Sequence, residues 1–208
     1  MNYEVTADSS GQQTPWQDFL VKCEACRACG LGYERLNAVV YRGSIRAPLM
    51  IIGEGPGQNE DEQGIPFVGR SGQLLDQLLS AWGFPEDSYH IANIVKCRPP
   101  ANRQPTIEEA RACRPLLNEQ FRFVKPRVVL LMGGSAYKYF TGDLSTGITK
   151  IRGEWIEQPG LSVLPTYHPA YILRSRSKKP ELWDDIGKAR SRLESLELLP
   201  PLRLNPEE

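Results

Sequence analysis

The 208-residue chain carries no excess charge of either sign, with 25 Lys and Arg against 25 Asp and Glu. Without a global positive field there is no general pull toward nucleic acid, so any DNA site has to be a local basic patch. No apolar run approaches the length that crosses a bilayer, and no membrane association is expected. The N-terminal stretch MNYEVTADSSGQQTP lacks both a basic start and an apolar core. A signal peptide is therefore not expected, and the setting reads as cytoplasmic. The glycine fingerprint of dinucleotide binding and the P-loop are both missing, which removes the common nucleotide-binding readings. No internal repeat is present. Histidine is scarce, with two in the chain, so each one is a candidate for chemistry.

What remains is the composition of a soluble globular protein, 40% hydrophobic and 24% charged, long enough for one full core. A polar, flexible tail is expected over residues 1–13, a single domain over 14–196 and a second tail over 197–208. Residues 49–69, LMIIGEGPGQNEDEQGIPFVG, organise that domain. A short apolar run after Pro48 reads as a buried strand of a parallel sheet. It stops at Gly53-Glu54-Gly55-Pro56-Gly57, where glycines let the backbone come close to a ligand and Pro56 stiffens the turn. Glu54 is then a carboxylate placed to handle a water or a proton. The plainer alternative is a glycine-rich connection that holds nothing.

The same reading gives three more core strands, at residues 90–95, 127–132 and 161–166. A short strand or extended connection over 38–43 and a weak strand near Trp155 flank them. Helices are expected after Pro15 with Thr14 as cap, over the Leu74–Leu79 stripe and after Thr106, where Glu109 completes a capping box. Two more are expected near 136–140 and over 180–196. Strands alternating with helices imply a three-layer α-β-α sandwich around a central, mainly parallel four-stranded sheet. In that arrangement the Glu54 loop, Asn93 with the Cys97 loop, Gly133-Gly134 and His168 all arrive at one sheet edge. Ligands of open α/β sheets collect there.

Five cysteines are present, and Cys23, Cys26 and Cys29 form two overlapping CxxC pairs. Cys97 and Cys113 make a set of four with Cys26 and Cys29, suited as thiolates to a structural zinc or an iron–sulfur cluster, and spacing does not separate the two. Buried apolar thiols are the alternative.

These residues resemble the family 4 uracil-DNA glycosylases, the iron–sulfur type of bacteria and archaea. The likeness runs through GEGPGQNEDEQGIPFVGRSG (53–72), Asn93, KCRPPANR (96–103), Cys113, ITKIRG (148–153) and PTYHPAYILR (165–174). It implies a [4Fe–4S] cluster on Cys26, Cys29, Cys97 and Cys113. Arg35, at the family's distance after Cys29, favours that set, and Cys23/Cys26 stays open as the other pair. It also implies a repair enzyme of the prokaryotic nucleoid, a monomer, that flips uracil from single- or double-stranded DNA. Hydrolysis of the N-glycosidic bond then leaves an abasic site. His168 would serve the uracil O2 where negative charge accumulates, and Glu54 would orient the attacking water. Gly53, Gly55 and Glu60 would line the pocket, Phe67 would stack on the base and Asn93 would read its edge. Tyr171, Ile172 and Leu173 would wedge into the vacated space, while Arg98 and Arg174 meet phosphates. The alternative within the superfamily is a DNA-binding or polymerase-associated member with weak, altered or covalent His–DNA activity.

Overall fold

A computed structural model describes residues 14–202, and the expected tail over 1–13 lies outside the described residues. In chain order the first elements are α1 (Pro15–Ala25), α2 (Leu31–Glu34), β1 (Arg42–Gly43), β2 (Leu49–Gly53), α3 (Gln58–Gln63) and α4 (Arg70–Ala81). Then come β3 (Tyr89–Asn93), α5 (Ile107–Val124), β4 (Val128–Met132), α6 (Gly134–Thr141) and α7 (Ile148–Ile151). The last are β5 (Ile156–Gln158), β6 (Leu161–Thr166), α8 (Pro169–Arg174) and α9 (Lys179–Ser195). Helix starts follow their sequence signals. Thr14 and Thr106 accept from the backbone of Gln17 and Glu109, whose side chains return the bond to the caps.

The strands form one six-stranded sheet in the order β1-β3-β2-β4-β6-β5. This corrects the expected four-stranded, mainly parallel sheet. The four anticipated strands are there and pair in parallel, but β1 and β5 add an antiparallel strand at each edge. They fall on the flanking segments expected over 38–43 and near Trp155, and at two and three residues they are too short for a periodic signature to show how they pair. Short edge strands also leave little free edge for another chain to pair with.

Both faces of the sheet are covered, which explains why its two central strands, β2 and β4, are apolar at every position. Met50 and Ile52 of β2, with Val129 and Leu131 of β4, pack toward α1, α5 and α6. Leu49, Ile51, Val128 and Leu130 pack the other way, toward α4, α8 and α9. The order of β3, β2, β4 and β6 makes the chain reverse direction between β2 and β4. Their following loops diverge there and open a crevice at the C-terminal ends of the strands. At the other end of the molecule Leu198 and Leu199 pack beside α9, and Pro200 accepts a hydrogen bond from Arg190 Nη2 at 2.7 Å.

One of the two histidines belongs to this framework. His90 of β3 is fully buried, and its Nδ1–H donates to the Ser44 carbonyl at 3.0 Å. Its Nε2 then accepts from the Gln120 amide at 2.7 Å, while that amide also donates to the Val40 carbonyl. Burial pushes its pKa down to about 4, against the opposing Ser44 bond. A base with a folded pKa below its unfolded 6.5 costs nothing while neutral, and opposes folding as pH falls toward 4. Its contribution is thus intact above pH 6.5 and lost below it, by on the order of 3 kcal/mol. The stability difference between wild type and His90→Gln, from urea unfolding, should shrink by that order between pH 7 and pH 4. A difference independent of pH would show that His90 is not a buried neutral base.

Candidate active site

The loop from β2 to α4 is held by one carboxylate. Glu60 Oε2 accepts from the Gly57 N–H at 3.1 Å, and Oε1 accepts from Val68 and Gly69 at 3.0 and 2.9 Å. With both oxygens committed to backbone donors, Glu60 is the loop's internal clamp. Asp61 does the same toward the neighbouring chain, accepting from the Leu36 and Asn37 N–H groups. Glu54 has no such commitment. Burial raises its pKa above the ordinary carboxylate value, and a hydrogen bond from the Ser135 side chain opposes that rise.

The glycines of the loop make room for protein rather than for a ligand. A Cβ on Gly53 would collide with Asn93 Oδ1 and come within 2.7 Å of the Phe67 ring; one on Gly55 would meet Val95 at 2.8 Å. Phe67 itself sits in the left-handed region, at φ 57°, where an aromatic residue is strained. The strain has a use. It turns the ring in under the sheet edge, where it stacks on the His168 imidazole with centroids 5.5 Å apart and planes 28° from parallel.

Asn93 ends β3 beside Gly53 and is almost wholly enclosed, yet borders the cleft. Its carbonyl accepts from the fully buried Lys96 ammonium at 2.9 Å, which fixes the backbone as the strand ends. His168 caps α8, and its Nδ1 accepts from the Ala170 N–H at 3.0 Å. The neutral ring must therefore carry its proton on Nε2. Burial, with a smaller push from the Arg174 charge, lowers the His168 pKa to about 4. His168 is a neutral hydrogen-bond donor at neutral pH.

These groups border one cleft of ≈ 1020 Å³ at the crevice between the β2 and β4 loops. Of the residues singled out in sequence, it brings together Glu54, Gly55, Glu60, Phe67, Asn93, His168, Tyr171 and Arg174. Gly53 lies behind it as a spacer. Ile172 is turned into the core against α4 and α9. Leu173 is exposed but outside the cleft, and Arg98 is occupied with the Asn102 side chain at 2.8 Å. Sequence reading passed over Ser135 and the α6–α7 wall of Lys138, Tyr139, Leu144 and Thr149. Ser135 had a signal in its place just after Gly133-Gly134, at a strand end opening a helix. The wall residues had none.

The expected [4Fe–4S] site on Cys26, Cys29, Cys97 and Cys113 is not borne out. Among the described residues no group of three or more His, Cys, Asp or Glu side chains is arranged to hold a metal ion. All five cysteines are free. Cys97 Sγ accepts from Arg35 Nη1 at 3.0 Å, so Arg35, expected to mark Cys29 by spacing, touches a different thiol. Burial pushes the Cys113 thiol up to about 11 and that of Cys23, outside the expected set, up to about 12. The residues as arranged do not fit the cluster, and no chemistry is routed through it.

An α/β sandwich with its cleft at a switch point, walled by loops from four parallel strands, does not by itself fix a function, and the amino-acid sequence carries the match to known proteins. The family model of the uracil DNA glycosylase superfamily fits residues 40–187. A type-4 uracil-DNA glycosylase of Thermotoga maritima is 42% identical over 175 residues, covering 82% of this chain and 90% of that protein. Another, of Sulfurisphaera tokodaii, is 39% identical over 80% of this chain and 79% of its own. A third, of Saccharolobus solfataricus, is 37% identical over 82% of each. The chain belongs to the type-4 uracil-DNA glycosylases. Among the described residues no helix is long and apolar enough to cross a membrane.

The two carboxylates should separate on mutation. Glu60→Gln keeps one acceptor but sets an amide against backbone donors, and should cost on the order of 2 kcal/mol in urea unfolding at pH 7. Glu54→Gln removes a carboxylate whose raised pKa marks a destabilising burial, and should leave stability unchanged or higher. Equal losses in the two variants would mean that Glu54 is also scaffold.

Proposed function

We propose that the chain flips a uracil nucleotide out of DNA into the cleft and hydrolyses its N-glycosidic bond. The observation that carries this reading is the neutral His168, fixed by the Ala170 N–H so that an Nε2–H donor is left over at a cleft wall. As the bond from the sugar carbon to uracil N1 breaks, its electron pair leaves with the base and charge spreads to O2. A donor aimed there stabilises the transition state more than the bound substrate. A neutral imidazole suits the task because it donates without having to give up its proton. Glu54, ionised, orients the water that adds to the sugar carbon and offsets the positive charge developing there. That water loses a proton, and the departing uracil anion is neutralised by solvent.

Asn93 offers a donor and an acceptor together, the pattern that pairs with a uracil edge and mismatches cytosine. Phe67, backed by His168, gives the flipped base an aromatic face. Tyr171 at the rim fills the space that the base vacates, Leu173 adds an apolar contact to DNA from outside the cleft, and Arg174 supplies charge for a phosphate. Ile172, buried in the core, takes no part.

Single-turnover excision from a uracil-containing oligonucleotide tests this directly. His168→Ala should slow the bond-breaking step by about 10²–10³ while the dissociation constant for the DNA stays nearly unchanged. Parallel losses in rate and binding would make His168 a DNA contact instead. The pH profile carries a second signature. Because Glu54 must be ionised, the rate should fall on the acid side as pH drops through its raised pKa. Ser135→Ala removes the bond that opposes that rise, and should move the acid limb to higher pH. No limb should appear near pH 6.5, since His168 is already neutral there. A rate that fell as pH rose through 6.5 would require an imidazolium and sink the neutral-donor account.

A further inference from the structure

The segment that carries His168 is gripped from behind by a buried ion pair with no place in the cleft. Asp185 of α9 is completely enclosed. Its Oδ2 accepts from Thr166 Oγ1 at 2.6 Å and from Arg152 Nε at 2.9 Å, and its Oδ1 accepts from Arg152 Nη2 at 2.5 Å. Thr166 is the last residue of β6, two positions before His168. Its carbonyl accepts from the Gly133 N–H at 2.8 Å, and a Cβ on Gly133 would press on His168 Cβ at 3.0 Å. The Arg152-Gly153 corner is fastened to the same strand. The Gly153 N–H donates to the Pro165 carbonyl at 2.9 Å, and Lys188 Nζ donates to the Gly153 carbonyl at 2.7 Å. The Arg152 guanidinium also lies 5.8 Å from the Tyr167 ring centroid.

A buried carboxylate–guanidinium pair is a poor way to gain stability, because apolar residues of the same size do as well without the cost of desolvation. What such a pair supplies is geometry: a bidentate fork that leaves Oδ2 a second lone pair, here given to the Thr166 hydroxyl. Asp185, Arg152 and Thr166 do not border the cleft, whereas Tyr167 and His168, the next two residues along, do. We propose that Asp185 is a positioning residue for His168, acting through the Thr166 hydroxyl to set where the imidazole stands at the cleft wall. It also assigns a purpose to the Arg152-Gly153 end of the ITKIRG stretch. The inference rests on the excision reading of His168 given above.

The test uses the full-length protein with Thr166→Val, which removes the hydroxyl and keeps the shape, and Thr166→Ser, which restores it. Thr166→Val should slow single-turnover excision about tenfold with the DNA dissociation constant unchanged, and Thr166→Ser should recover most of the rate. In a His168→Ala background Thr166→Val should cost nothing further, since the group being positioned is gone. The same tenfold loss in that background, or no loss in the single variant, overturns the proposal. A second readout needs no activity. In the ¹⁵N-labelled protein Thr166→Val and Asp185→Asn should both shift the ring signals of His168 and leave those of His90 in place. Signals of His168 that stay put, or equal shifts at both histidines, overturn it as well. If the wild type excises no uracil, the excision reading fails by itself, and the ring signals still decide whether Asp185 places His168.

Discussion

The site depends on the Glu60 carboxylate more than on any group that would touch substrate. Outside the short helix α3, a loop of this kind, rich in glycine and carrying a phenylalanine with positive φ, has little regular hydrogen bonding to hold it. Glu60 supplies what is missing by accepting from three backbone N–H groups on both sides of α3. Ionised acceptors give stronger bonds than neutral ones, so a single side chain can offset the strain at Phe67. With the loop fixed, the Phe67 ring has one place to go, and the glycine at 53 is what lets it share that place with Asn93. The Phe67 ring, the Asn93 amide and the His168 imidazole all meet in that packing.

Electrostatics then divide the labour. Glu54 and His168 are both desolvated, and burial acts in opposite directions on an acid and a base. It raises the carboxyl pKa and lowers the imidazole pKa, so both are drawn toward neutrality. The Ser135 bond pulls Glu54 back toward the ionised form. No comparable partner restores charge to His168, because the Ala170 N–H engages its lone pair and Arg174 repels a proton. The outcome is a carboxyl pulled back toward its ionised form and an imidazole that stays neutral, both on the walls of one cleft. His90 meets the same desolvation in the core, and its hydrogen bonds to Ser44 and Gln120 lead to structure alone. A histidine's chemistry is decided by what the free ring nitrogen faces, more than by its pKa.

Much of this was legible in sequence. Apolar runs covered on both faces, breakers at their ends and capping boxes at Thr14 and Thr106 are local signals, and the four parallel strands and main helices followed from them. So did the convergence of Glu54, Asn93 and His168, since parallel strands joined by helices deliver all their C-terminal loops to one edge. Residue type alone could not separate Glu54 from Glu60, or Tyr171 from Ile172. Those distinctions turn on which backbone donors a carboxylate meets and which side of a six-residue helix faces the core. The cysteines show the same limit. CxxC spacing states what thiols could do if brought together, while burial and the Arg35 contact are properties of the packed chain.

The sequence by itself determined the sheet's parallel centre, the edge at which the site lies and the residue types that reach it. Those depend on periodicity and chain direction, which are local and carried along the backbone. Tertiary structure alone decided that the two short flanking strands join the sheet as antiparallel edges, and it decided the arrangement of the thiols. It also decided the tautomer of His168 and the Asp185–Arg152–Thr166 grip behind it. Each of these rests on contacts between residues far apart in the chain: Thr166 meets Asp185 nineteen positions away, and Arg35 meets Cys97 sixty-two positions away. Such contacts exist only once the layers have packed.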